Sequence, residues 1–328
     1  MQSAKPLVVI LATGGTIAGS AASRTDTTGY RAGAVGIDAL VAGVPELAAH
    51  RLEHESVAAI DSKDMDFGTW QHLAARVAGH LARPEVAGIV ITHGTDTLEE
   101  TAYLLHRVLA PARPVVLTAA MRPATAISAD GPANLLDAVT LAEAPGARGV
   151  LLAFGGAAWA AVGLRKVHTL ATQAFTGSDT GPVARLEAGQ VRRFREWPSA
   201  GDGRGPSAGA AMGQAVLAAD PSDWPRVDIV MNHAGADGGL VDAAVAAGAR
   251  GIVVAGTGHG TTSARLDAAL ERARAQGVRT LRASRCAFGP VLAREGEAAE
   301  DAAGELSAPQ ARVELLLRLL AEGAGPAA

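Results

Sequence analysis

Ile89-Val90-Ile91-Thr92-His93-Gly94-Thr95-Asp96-Thr97-Leu98-Glu99-Glu100-Thr101-Ala102-Tyr103-Leu104-Leu105 is the stretch that decides the fold. The apolar run over 88–92 reads as a buried strand. A four-residue turn, His93-Gly94-Thr95-Asp96, follows it, and a helical pattern runs over 97–109 until Pro111 stops it. Such a strand–turn–helix places a hydroxyl and a carboxylate at a strand's carboxyl end, where open α/β sheets bind their ligands. Upstream, Leu11-Ala12-Thr13-Gly14-Gly15-Thr16-Ile17-Ala18-Gly19 has the same layout after the apolar run 7–12. Two strand-end threonine loops in one domain point to threonine chemistry on a small polar substrate.

Outward from these loops, apolar runs predict strands over 57–60, 114–118, 149–154, 227–231, 251–255 and 278–283. Helical spacing marks 67–81, 134–144, 240–247, 263–275 and 309–321. On 67–81, Trp70, Leu73, Val77 and Leu81 share one face. The alternation predicts an α/β fold in two domains: a larger N-terminal domain with a parallel-type sheet flanked by helices, and a smaller C-terminal α/β domain. The Gly-rich segment Ser199-Ala200-Gly201-Asp202-Gly203-Arg204-Gly205-Pro206-Ser207 separates them. The expected division is 1–198, a linker over 199–224, and 225–328. No repeat of solenoid period is present.

Composition narrows the class. The 328 residues are 48% hydrophobic but only 3% aromatic, so the core is built from Ala, Val, Leu and Ile. A formal net charge of −4 with no basic block argues against nucleic acid as a partner. No apolar run reaches the roughly 18 residues of a membrane span. The start Met1-Gln2-Ser3-Ala4-Lys5-Pro6 lacks a charged region followed by a separate apolar one, so the expected compartment is the cytoplasm, or the periplasm where a leader has been removed. Cys286 is the single cysteine. It rules out an intrachain disulfide, fits a reducing compartment and reads as a small buried apolar side chain. The histidines form no ligand cluster, and no metal is expected.

Several residues could carry chemistry. Thr16 follows a glycine pair that lets the backbone turn sharply toward a ligand. It reads either as a nucleophile or as a helix cap, while the absence of G-x-G-x-x-G and of Gly-Lys-Ser/Thr disfavours a nucleotide loop. Thr95 and Asp96 read either as a capping pair with Glu99 or Glu100, or as reacting groups. A reacting threonine needs a base. Lys5, Lys63 and Lys166 are the only lysines, and the last two lie in loop-like segments. Ser62 is a further strand-end hydroxyl, and His93 reads as a structural residue of its loop.

Taken together, these loops resemble those of the bacterial-type L-asparaginase/glutaminase family, the type II-like enzymes in particular. The similarity runs through nearly the whole chain. It rests on residues 12–19 and 91–97, and is supported by Ser62-Lys63-Asp64-Met65, Ala120-Met121-Arg122-Pro123, Ser128-Ala129-Asp130-Gly131-Pro132-Ala133-Asn134-Leu135 and Pro309-Gln310-Ala311-Arg312. The resemblance implies hydrolysis of the side-chain amide of L-asparagine to L-aspartate and ammonia through a β-acyl-enzyme, without a cofactor. It assigns Thr16 as nucleophile, Tyr30 as the residue of the covering segment that assists it, and Thr95, Asp96 and Lys166 as a second group. Which threonine attacks first is left open by the sequence. Substrate binding would fall to Gly15, Ser62, Lys63, Thr95, Asp96 and Ala120. A homotetramer, as a dimer of dimers whose sites are completed by Thr261 and by Glu295 or Glu297 of a partner subunit, is implied as well.

The chain departs from the family pattern at Lys63, where glutamine is frequent, and at Gly258-His259-Gly260-Thr261. Arg83 and Pro111 stand where some members have a disulfide. A glutaminase-asparaginase with L-glutamine as a significant substrate is the alternative reading. The amidase component of a tRNA-dependent amidotransferase would need a tRNA-facing domain or basic surface, which the sequence lacks. A non-catalytic module using the Gly-Gly loop would have no need of Thr95, Asp96 and Lys166 together.

Overall fold

The computed structural model describes residues 5–198 and 206–323. The chain divides into two compact units, Met1–Ala161 with Arg165–Gly209, and Val162–Leu164 with Ala210–Ala328. The strands of the first unit are β1 (Leu7–Gly14), β2 (Ser20–Ala21), β3 (Tyr30–Arg31), β4 (Arg51–Ile60), β5 (Val86–Thr92), β6 (Pro114–Thr118), β7 (Gly149–Phe154), β8 (Ala157–Ala160), β9 (Arg165–Lys166), β10 (Phe175–Thr176), β11 (Ala184–Glu187) and β12 (Gln190–Arg193). Its helices are α1 (Ile37–Ala42), α2 (Phe67–Leu81), α3 (Leu98–Leu109) and α4 (Gly131–Ala142).

Eight strands form the main sheet in the order β12-β11-β8-β7-β6-β5-β1-β4. The run from β7 to β4 is parallel, whereas β8, β11 and β12 add antiparallel pairs. Every residue of β1, β6 and β7 is buried. Parallel strands covered on both faces therefore read as unbroken apolar runs. The antiparallel extension turns on Gly155 (φ 59°) and Gly156 (φ 72°), between the paired Phe154 and Ala157. Two positive φ values in a two-residue connection match the twist of a hairpin.

The second unit carries β13 (Val227–Met231), β14 (Gly251–Gly256) and β15 (Arg279–Ser284), which form a parallel sheet in chain order. With them are α6 (Gly239–Ala246), α7 (Ala264–Ala275) and α8 (Ala308–Gly323). Val230, Val241, Ile252, Val254, Leu266 and Leu270 are the centre of its core. Ser263 caps α7 by accepting the Leu266 N–H at 3.2 Å.

Three features differ from the sequence expectation. Residues 199–205 of the expected linker lie outside the described residues, and the segment beyond them holds a helix, α5 (Pro206–Ala218), within which the division of the two units at Gly209 falls. Its Ala-rich stretch carries good helix formers that the neighbouring glycines masked. The strand expected over 57–60 begins at Arg51, because β4 is an edge strand whose polar residues face solvent. Cys286 is exposed, not buried: it sits in the loop just after β15, and its N–H donates to Ser284 Oγ at 2.9 Å.

Candidate active site

Sheet register puts the carboxyl ends of four neighbouring strands level. Gly14 pairs with Ile60 of β4, Ala12 with Thr92 of β5, and Thr92 with Thr118 of β6. Residues just beyond those ends are Thr16, Ser62, Thr95 with Asp96, and Ala120. The chain thereby brings them to one edge of one sheet, the carboxyl edge at which such sheets bind ligands.

The three loops after β1, β4 and β5 pack backbone to backbone. Gly15 has φ 80°, and a Cβ there would run into the Gly94 backbone. A Cβ on Gly94 would in turn strike Ser62 Oγ. Only glycine suits Gly15, both for its conformation and for this approach. Hydrogen bonds close the cluster. The Gly15 N–H donates to Ile60 O at 2.9 Å, Asp96 N–H to Ser62 Oγ at 3.1 Å, and Thr97 Oγ1 to Ser62 O at 2.7 Å.

Neither threonine caps a helix. Thr16 is the first residue of a short 3-10 turn for which Gly15 takes the cap position. The residue at the cap of α3 is Thr97, and its hydroxyl is spent on Ser62 O. Thr16 Oγ1 instead lies 2.5 Å from the hydroxyl of Tyr30. Tyr30 arrives on β3, which pairs with β2, and a side chain at Gly19 would collide with its ring. The stem of this covering segment is tied down by Gly33 N–H to Gly15 O at 3.1 Å and Val35 N–H to Ala18 O at 2.9 Å.

Thr95, Asp96 and Lys166 form a second group. Lys166 Nζ donates to Thr95 Oγ1 at 2.8 Å and to Asp96 Oδ1 at 2.7 Å. Thr95 is buried, whereas the Asp96 side chain is 51% exposed and open to a ligand. Lys166 stands on β9, and its own N–H donates to Glu99 Oε2 of α3 at 2.6 Å.

Beneath the loop, Trp70 Nε1–H donates to Thr101 Oγ1 at 2.8 Å, Thr101 meets His93 Nε2 at 3.0 Å, and His93 Nδ1 meets Gly94 O at 2.7 Å. A carbonyl only accepts, so Nδ1 carries the proton and Nε2 accepts from Thr101. The neutral imidazole satisfies every member of this chain. Burial pushes its pKa down to about 4, and the bond to Gly94 opposes the shift.

The other expected residues are placed differently. Lys63 Nζ is held by Asp64 Oδ2 at 2.8 Å and Asp61 Oδ2 at 3.1 Å, and is 60% exposed. Those hydrogen bonds raise its pKa. Ala120 follows β6 in a loop shaped by Asp130, whose carboxylate accepts the N–H groups of Met121 (2.9 Å) and Arg122 (3.0 Å). Buried Asn134 donates to Ala119 O at 2.9 Å and accepts the Gly155 N–H at 3.0 Å. Sequence reading assigned no task to Asp130 or Asn134 beyond their motif.

In the second unit, Thr261 is committed to its own turn, with its hydroxyl 2.9 Å from Thr257 Oγ1. Glu297 is clasped by Arg282, through Nε at 3.0 Å and Nη2 at 2.5 Å, and also accepts the Arg294 N–H at 2.8 Å. The guanidinium holds its carboxyl below the usual range. Glu295 is exposed. Among the described residues, no group of three His, Cys, Asp or Glu could hold a metal ion.

Known proteins share this arrangement of chain and fold. A family model described as Asparaginase, N-terminal matches residues 7–199, and one described as Glutaminase/Asparaginase C-terminal domain matches residues 226–327. L-asparaginase 2 of Bacillus subtilis is 37% identical over 96% of this chain and 82% of its own length. Glutaminase-asparaginase of Pseudomonas fluorescens is 37% identical over 95% of this chain and 86% of its own. The crystal structure of a protein described as "Probable Cytoplasmic L-asparaginase from Campylobacter jejuni" matches with a TM-score of 0.85 and 36% identity, covering 96% of this chain and 95% of that one.

Proposed function

The chain belongs to the asparaginase/glutaminase family, and on that premise we propose that it hydrolyses the side-chain amide of L-asparagine to L-aspartate and ammonia with Thr16 as nucleophile. The observation that carries the reading is the pairing of two threonine hydroxyls, at adjacent strand ends, each with its own proton-handling partner: Thr16 with Tyr30, and Thr95 with Lys166 and Asp96.

A threonine hydroxyl is a poor nucleophile until a neighbour within hydrogen-bond reach can take its proton. Tyr30 Oη is in that position for Thr16. In the first half-reaction Thr16 Oγ1 bonds to the amide carbon, the C–N bond breaks, and the nitrogen leaves as ammonia with the transferred proton. In the second, a water oriented by Thr95, its proton passed into the Thr95–Lys166–Asp96 group, cleaves the β-acyl ester. Aspartate leaves and the Thr16 hydroxyl is restored. Main-chain N–H groups stabilise the oxyanion in each half. Ser62 and Asp96 hold the substrate's α-carboxylate and α-amino group, with backbone at Gly15, Thr95 and Ala120. Lys63, engaged by Asp61 and Asp64, acts on the carboxylate site only through its loop.

The proposal extends to assembly and place. The chain acts as a homotetramer, a dimer of dimers, and of the two candidate glutamates Glu295 is the one offered to a partner's site, because Glu297 is occupied by Arg282. Thr261 sits on the same side of this assignment as a turn residue, its hydroxyl bonded within 257–261. A single cysteine fits a reducing compartment such as the cytoplasm. Among the described residues, no helix is long and apolar enough to cross a membrane.

Ammonia release from L-asparagine and L-glutamine tests the reading in wild type, Thr16→Ala and Thr95→Val. Rapid release from asparagine that both substitutions abolish is the expected result. A mass increase on the peptide carrying Thr16 in Thr95→Val would place the acyl group. Release from neither amide by the wild type would overturn the proposal. Equal turnover of glutamine would favour the glutaminase-asparaginase reading.

A further inference from the structure

Lys166 has to hold its Nζ against Thr95, yet the element that carries it is slight. β9 has two residues and pairs only with the two residues of β10, Phe175 opposite Lys166 and Thr176 opposite Arg165. The Lys166 N–H plays no part in that pairing. It donates instead to Glu99 Oε2, at 2.6 Å, on the first turn of α3. Glu99 is 8% exposed, an unusual place for a carboxylate unless its charge is answered. Arg165 provides that answer: its charge interacts with Glu99 and Asp179 across a half-buried setting.

The same helix start therefore fixes both sides of the second group. The loop entering α3 sets Thr95 and Asp96, and the first turn of α3 reaches across to set the backbone of Lys166. We propose that Glu99 is the positioning residue that holds Lys166 in register with Thr95, through its hydrogen bond to the Lys166 amide. The proposal rests on the assignment of Lys166 to the reaction. It predicts that the reach of the side chain matters more than its charge, because a misplacement of about 1 Å at a reacting group costs on the order of 10²-fold in rate.

Two variants separate reach from charge. Glu99→Asp keeps the charge but shortens the side chain by one methylene. Glu99→Gln keeps an acceptor at the same distance and removes the charge. For Glu99→Asp the expected kcat falls more than about tenfold with KM within about threefold, and the Lys166 amide exchanges its hydrogen faster. Glu99→Gln is expected to keep kcat within about threefold and the amide protected. Full kcat in Glu99→Asp would overturn the proposal, as would an equal loss in both variants. Should Glu99→Asp not fold, a more than tenfold loss in Glu99→Gln alone would overturn it. Lys166→Met serves as the control: if it retains wild-type kcat, the assignment of Lys166 fails, an outcome distinct from a silent Glu99→Asp.

Discussion

At the scale of single residues, the short contact between Thr16 and Tyr30 gives the sharpest expectation. Thr16→Ala removes the oxygen proposed to attack and should fold normally while losing turnover on the order of 10⁴-fold or more, measured as ammonia release. Tyr30→Phe keeps the ring against Gly19 but removes the hydroxyl that meets Thr16 Oγ1. A loss of about 10²–10⁴-fold in kcat is expected there, and a kcat within threefold of wild type would remove Tyr30 from proton transfer. Lys63→Gln is expected to leave the asparagine-to-glutamine ratio within about twofold, since exposed ion pairs of this kind contribute little and the ammonium is already engaged by Asp61 and Asp64. A larger change in that ratio would mean that Lys63 leaves its aspartates to meet substrate. Thr16, Thr95 and Asp96 were legible as strand-end loops because glycines and hydroxyls follow apolar runs directly. Tyr30 and Lys166 were not legible from spacing: each stands on a two-residue strand, too short to carry a periodic signal; the scarcity of lysine drew attention to Lys166, and the family resemblance alone marked Tyr30. Solvent exposure of Cys286 was misjudged because residue type carries burial only as a tendency.

Among elements, the turn between β5 and α3 depends on a neutral histidine. His93 is fully buried, and its ordinary pKa of 6.5 falls to about 4 in the folded chain. Between those values the unfolded chain binds the extra proton, so the stabilisation is complete above about pH 6.5 and is lost as pH falls toward 4. At pH 5 the loss amounts to about 2 kcal/mol relative to pH 7.5. Urea unfolding of wild type and His93→Gln at those two pH values should show the gap between them narrowing by about that amount at pH 5, and a gap independent of pH would sink the assignment. Gly15→Ala sets a Cβ against Gly94 at a positive φ, and should cost about 1–3 kcal/mol and most of the activity. The parallel strands were plain in the sequence because burial on both faces leaves no polar alternation. The antiparallel additions were overlooked although Gly155-Gly156 marked one hairpin and Ala188-Gly189, with φ 52° and 71°, turns the other. The amino-terminal part of edge strand β4 and helix α5 lie outside the expected elements for the opposite reason, since a polar flank hides a strand and flanking glycines hide a helix.

On the scale of the whole molecule, the remaining question is whether one chain suffices for one site. Glu297 cannot be offered elsewhere without abandoning Arg282, whereas Glu295, two residues away, is exposed beside that clasp. Arg282 also donates to the carbonyls of His259 and Leu292, both at 2.8 Å, so one guanidinium fixes the turn before Thr261 and the loop that carries Glu295. An assembly with sites shared across a two-fold interface has a consequence that a self-sufficient chain does not. Thr16→Ala lacks the nucleophile but would present an intact Glu295, while Glu295→Ala has the nucleophile but would leave its partner's site incomplete. In a mixed dimer of the two, one site combines both defects and the other combines neither. Random pairing makes half of the dimers mixed, so equal amounts refolded together should recover about a quarter of wild-type activity from two nearly inactive preparations. Light scattering of the same mixture should report the mass of a tetramer. Activity no greater than the mean of the separate variants would show that Thr16 and Glu295 do not serve one site across an interface.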